Sequence, residues 1–189
     1  MKYNKNQKLL LFSGGIWAVF DALTSAFLIA FALIFGASNF IIGLLGAIPY
    51  LTSLIIELPG AKLVEFFSRK KICIAAQTIS RLSWILIILL PYLFKKNPLI
   101  LLIIFFSWIK LTDILTEPAW TSLMADLVPL KVRGRFFGTR SAIIGIAGMI
   151  SAVIGGFYLD IFPKTDFFGF STMFAAGIFF SLISIFLVS

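Results

Sequence analysis

The chain has no histidine and a single cysteine, Cys73. Lack of histidine removes the commonest metal ligand and the side chain that titrates nearest neutral pH. One cysteine excludes a disulfide framework within the chain. Charge is scarce as well: 13% of the 189 residues are charged, whereas soluble domains carry about 25%. Hydrocarbon takes its place, with 60% hydrophobic residues and a mean hydropathy of +1.07. This is the composition of an integral membrane protein. The formal net charge of +8 would suggest an acidic partner in a soluble protein. A nucleic-acid reading is weak here, because no soluble domain presents those residues.

Six apolar segments are each long enough to cross ~30 Å of hydrocarbon as helices. They cover residues 9–35, 39–58, 72–94, 98–125, 137–159 and 168–188. The fold class expected is all-α: a polytopic membrane protein formed by one six-helix bundle over residues 1–189. A barrel would show short alternating segments instead. The first segment follows Lys2, Lys5 and Lys8 as a signal peptide would, but it is too long for one and contains Asp21.

The connections differ in charge. Lys2, Lys5, Lys8, Lys62, Arg69, Lys70, Lys71, Lys131, Arg133, Arg135 and Arg140 fall on one side, and only Lys95, Lys96 and Lys164 on the other. The positive-inside rule then places both termini in the cytoplasm, with the chain in the cell membrane. The stretch 125–148 reads as a basic loop entering the fifth span. Its residues 137–148 align without gaps to residues 35–46, sharing Phe, two Ile and three Gly. Three spans apart, the copies would run in opposite directions, as in the inverted repeats of many secondary transporters.

Some residues are costly in a bilayer. A charge at its centre costs from ~2.5 to more than ~10 kcal/mol, so each needs a partner or a water-filled cavity. Asp21 lies within the first span and Arg81 within the third. Lys110, Asp113 and Glu117 follow i, i+3, i+7 spacing on one face of the fourth. They can pair structurally, Lys110 with Asp113 and Arg81 with Asp21 or Glu117. Alternatively, they line a cavity that takes a substrate or a coupling proton, with the carboxylates leading in the absence of histidine. Pro49 and Pro118 remove backbone donors inside spans. Gly145, Gly148, Gly155 and Gly156, with Gly43 and Gly46, form small faces that admit a partner helix.

Two connections carry a family resemblance. Ala61-Lys62-Leu63-Val64-Glu65-Phe66-Phe67-Ser68-Arg69-Lys70-Lys71 is similar to the signature between spans 2 and 3 of the major facilitator superfamily. Leu63, Arg69, Lys70 and Lys71 fit; Glu65 keeps the carboxylate on a longer arm; Ala61, Phe66 and Ser68 depart from it, and Gly60 stands one place early. The series Asp126-Leu127-Val128-Pro129, Arg133-Gly134-Arg135 and Gly138 resembles that family's connection between spans 4 and 5.

The resemblance is to the amino-terminal half of such a transporter, a three-plus-three inverted repeat. It implies alternating access, with spans 1 and 4 lining a cavity and spans 2 and 5 facing a second bundle. It also implies a cytoplasmic gate from Gly60, Glu65, Arg69, Lys70, Asp126, Arg133, Arg135 and Arg140. The function expected is proton-coupled secondary transport of a small solute, with no cofactor, metal or catalytic residue. A missing carboxy-terminal half or a second copy would supply the partner bundle. The competing readings are a non-transporting six-span scaffold or assembly subunit, and an inactive fragment of a twelve-span transporter.

Overall fold

The computed structural model describes residues 4–66 and 68–188; within them, the side chains of residues 6, 58, 61, 63–66, 123, 125, 126 and 188 are not described. Helices α1 (Lys5–Thr24), α2 (Leu28–Ile34), α3 (Asn39–Phe66), α4 (Arg69–Leu93), α5 (Pro98–Ile114), α6 (Thr116–Leu127), α7 (Leu130–Asp160) and α8 (Phe167–Val188) follow one another without strands among the described residues. They make six stretches long and apolar enough to span a bilayer, with α1–α2 and α5–α6 each forming one stretch.

The helix ends depart from the sequence expectation. α1 begins at Lys5 because Asn4 and Gln7 form a reciprocal cap: Asn4 Oδ1 accepts from the Gln7 amide at 2.8 Å, and Gln7 Oε1 accepts from the Asn4 amide at 3.2 Å. α7 begins at Leu130, so Lys131, Arg133 and Arg135 stand on a helix rather than in a loop. Basic residues oppose the dipole at a helix start. Here burial outweighs that cost, since Phe136 is buried against Leu10, Leu11, Met124 and Val128, with Val132 beside it. Pro129 fixes the turn with extended backbone.

Two spans are interrupted. The first tightens into a 3-10 turn at Ser25–Phe27. Just before it, the Thr24 hydroxyl donates to the Phe20 carbonyl at 2.7 Å, a back-bond that competes with regular helix. The fourth breaks at Leu115, and Pro118 leaves the Ile114 carbonyl without its helical donor. The expected single helices 9–35 and 98–125 are thus each two helices. The aligned stretches also differ locally. Residues 35–46 cross a turn at Gly36, whose φ is +79°, whereas residues 137–148 lie wholly within α7.

α8, α1 and α4 form the most buried spans. α1 packs on α7 and α8, and α4 on α5, α6 and α8, while α3 rests on α5 and α6. Toward the α2–α3 turn lies an aromatic core of Phe20, Phe31, Trp84, Phe106, Phe170 and Phe174. The smaller cluster around Phe136 fills the opposite end. Between these two apolar layers runs a polar one.

The glycines divide by surroundings. A Cβ on Gly155 would stand 2.9 Å from Phe27 Cε2, whereas at Gly43, Gly46, Gly145, Gly148 and Gly156 it would meet nothing within 4 Å. A second close approach, absent from the sequence reading, is at Gly177, where a Cβ would lie 3.0 Å from Thr24 Cγ2 and 3.5 Å from the Phe20 carbonyl oxygen. Thr24 is fully buried and β-branched, so it has little room to yield. Gly177→Val is therefore expected to destabilise the bundle by about 1–3 kcal/mol. Gly145→Val should leave unfolding of the same chain in detergent unchanged. Equal effects of the two would refute the α1–α8 contact as drawn.

Candidate functional site

The polar layer encloses a cavity of about 480 Å³, reached by side chains from α1, α3, α4, α5, α6, α7 and α8. Small-molecule sites run from about 300 to 1,000 Å³, so its size suits a small solute. Helical spacing explains the lining. Gly14, Trp17 and Asp21 share one face of α1, Gln77 and Arg81 one face of α4, and Lys110 and Asp113 one face of α5. Glu117 and Trp120 continue that line on α6. Asp21, Arg81, Lys110, Asp113 and Glu117, far apart in sequence, all border the same space.

Of the expected pairs, Lys110 with Asp113 forms, and the partner of Arg81 differs. Arg81 joins neither Asp21 nor Glu117; its Nη1 donates to Asp113 Oδ1 at 2.6 Å. Nη1 also reaches Ser80 Oγ at 3.1 Å, and Nε donates to Ser181 Oγ at 2.8 Å. The Ser80 hydroxyl in turn donates to Asp113 Oδ1 at 2.7 Å. Beneath the guanidinium lies the Phe20 ring, with Cζ 4.3 Å from its centroid. Arg81 is 3% exposed. It is a sealed cation tying α4 to α5 and α8. Lys110 meets Asp113 more loosely, at 3.9 Å, and donates to Ser25 Oγ at 3.3 Å on the 3-10 turn.

Two carboxylates are left over. Neither Asp21 nor Glu117 has a side-chain hydrogen bond or ion pair with another described residue, yet both border the cavity. Arg140, Asp113 and Glu57 are near enough to Glu117 to act on it electrostatically.

Arg140 was expected at the gate and is found at the cavity instead. Its Cζ stands 5.0 Å from the Trp120 ring centroid, and its Nε faces the bare backbone of Gly14, 3.2 Å from where a Cβ would be. That buried Nε has no hydrogen-bond partner among the described residues. The signal was present in the sequence, because Arg140 is seven residues from Arg133 and so on the same helical face. Starting the span at residue 137 hid it. Trp17, Gln77 and Trp120 were also passed over, although each lies three or four residues from a charge already singled out.

The remaining gate residues lie at the end of the bundle where α3 meets α4 and α6 meets α7. Arg69, Lys70 and Arg135 are exposed there. Arg133 Nη2 donates to the Val128 carbonyl at 3.4 Å and so caps the end of α6. Gly60 is buried; a Cβ there would stand 3.5 Å from Leu115 Cδ2 and 3.8 Å from Pro118 Cγ, at the break between α5 and α6. The side chains of Glu65 and Asp126 lie outside the described residues.

Six membrane-capable helices around a polar central cavity define a polytopic α-helical membrane protein of the transporter type. A model of the Major Facilitator Superfamily matches residues 10–189, nearly the whole chain, and the chain belongs to that superfamily. No curated protein and no solved structure matches it.

Proposed function

We propose that the chain forms the solute-binding half of a proton-coupled secondary transporter working by alternating access. The observation that carries this reading is the cavity bordered by two unpartnered carboxylates, Asp21 and Glu117. A scaffold would have its intramembrane charges matched to one another in a dry interior. Here, of the described charged residues that line the cavity, Arg81, Asp113 and Lys110 are matched. Asp113 serves as counter-ion to Arg81, which leaves Asp21 and Glu117, and Glu117, beside the helix break at Leu115, is taken as the carrier of the coupling proton.

Helices α3 and α7 supply the moving face. They are the least buried of the described spans, and a Cβ at Gly43, Gly46, Gly145, Gly148 or Gly156 would meet no described residue within 4 Å. A second six-helix bundle, from further chain or from a second copy, packs on that face and completes the cavity. The basic end of the bundle lies in the cytoplasm, following the excess of Lys and Arg there.

Ser53 borders the cavity on α3, and Cys73 is a buried thiol. In a Cys73→Ser background, Ser53→Cys is expected to react with a membrane-impermeant thiol reagent applied to either face of sealed vesicles. Reaction from one face only, or from neither, would favour the scaffold.

A further inference from the structure

We infer that a groove on the outer side of α1 holds one acyl chain of a phospholipid with a negatively charged headgroup, its phosphate resting on Lys8. This does not depend on the transport reading. α7 and α8 each pack along α1 but scarcely on one another. A groove of about 490 Å³ is left between them, floored by Gly15 and Ile16 of α1 and walled by Ile143 and Ala147 of α7 and Phe180 of α8. Gly15 lets the α7 wall stand close, since a Cβ there would lie 3.1 Å from Ile143 Cγ2. α8 runs antiparallel to α1: Gly177 faces Thr24, and the Ser184 hydroxyl donates to the Ser13 carbonyl at 2.9 Å. Phe180, between those two, closes the inner part of the groove.

Helical phase separates this groove from the polar cavity. Lys8, Phe12, Gly15 and Val19 form one stripe of α1, and Gly14, Trp17 and Asp21, which border the cavity, lie near the opposite one. On α7, Ile143 and Ala147 likewise lie across the helix from Gly145, Gly148 and Gly156. A bundle packed on those glycines leaves the groove uncovered. It faces the hydrocarbon of the bilayer.

Length and charge name the occupant. From Lys8 to Val19 the axis of α1 rises about 16 Å, whereas one leaflet supplies half of a ~30 Å hydrocarbon core. Lys8 stands at the start of the span, so the groove runs from the headgroup level to the midplane. That is the reach of one acyl chain; a partner helix would need the full thickness. Of the described residues that line the groove, only Lys8 carries a polar side chain. It is exposed and makes no hydrogen bond or ion pair with another described residue. A choline or ethanolamine headgroup would bring a second cation in need of a carboxylate, and none lines the groove or stands in the first turn of α1. A headgroup of net negative charge is answered in full.

The test uses the full chain purified in mild detergent and counts bound lipid by native mass spectrometry. Phosphatidylglycerol and phosphatidylcholine with identical acyl chains are added separately. One phosphatidylglycerol is expected to be held roughly tenfold more tightly than phosphatidylcholine, and Lys8→Gln should erase that preference. Lys5→Gln, also at an exposed lysine but outside the groove, should keep it. Ala147→Phe fills the groove and should abolish retention of both lipids. Ile146→Phe, at a residue 57% exposed beside it, should not. Unfolding in detergent shows whether the two α7 variants fold, and Lys8→Gln decides alone if Ala147→Phe does not. Glycerol phosphate, which has no acyl chain, should not compete. Equal retention of the two lipids, an unchanged preference in Lys8→Gln, full retention in a folded Ala147→Phe, or competition by glycerol phosphate overturns the inference. So does a chain dimer that Ala147→Phe disperses, which would put a second copy in the groove.

Discussion

Glu117→Gln is expected to bring proton-driven solute accumulation in sealed vesicles down to the leak of protein-free vesicles, while the bundle stays folded. The substitution is nearly isosteric and removes the exchangeable proton. It should cost little stability, because the Glu117 side chain makes no hydrogen bond or ion pair with another described residue. Its place immediately before Pro118, after the break at Leu115, aims it at the cavity rather than at a neighbouring helix. Solute exchange at equal pH needs no net proton movement and should survive. The measurement is the signal of an entrapped pH dye as a defined mixture of polar solutes is added, alongside unfolding in detergent. Undiminished proton flux in Glu117→Gln, with loss of flux in Asp21→Asn, would move the coupling role to α1. Loss of flux together with folding would mean that the carboxylate is structural.

The spans were legible because a bilayer demands some twenty apolar residues in a row, and nothing else in the chain imitates that. Their ends were harder to read. At α7 the basic residues suggested a loop, yet Val132 and Phe136 bury enough apolar surface to extend the helix back to Leu130. The 3-10 turn at Ser25–Phe27 carries no proline or glycine to announce it. In the site, what one helix decides was visible: Lys110, Asp113 and Glu117 follow helical spacing. What two helices decide was not. The Arg81–Asp113 pair joins residues 32 apart in sequence, and spacing within either helix says nothing about it. Arg140 fell between these cases, since its face was readable once α7 was allowed its full length.

The larger stability effect belongs to that cross-helix pair, and its two ends should respond unequally. Asp113→Leu leaves Arg81 buried with only the hydroxyls of Ser80 and Ser181 and the Phe20 ring for company. Stranding one member of a buried pair costs about 3–5 kcal/mol, and the Arg81 side chain is only 4% exposed. Arg81→Leu should cost less. Asp113 is 22% exposed at the cavity and already has Lys110 Nζ at 3.9 Å, which can close on the vacated carboxylate. The double replacement removes both charges and is expected to be more stable than Asp113→Leu alone, because exchanging a buried pair for apolar residues is often neutral. Unfolding of the four chains in detergent gives the coupling between the sites directly. A double variant no better than Asp113→Leu would mean that the carboxylate is held by something other than Arg81. It would then also return Asp113 to the groups open to a coupling proton, since its charge would no longer be committed to holding α4 against α5.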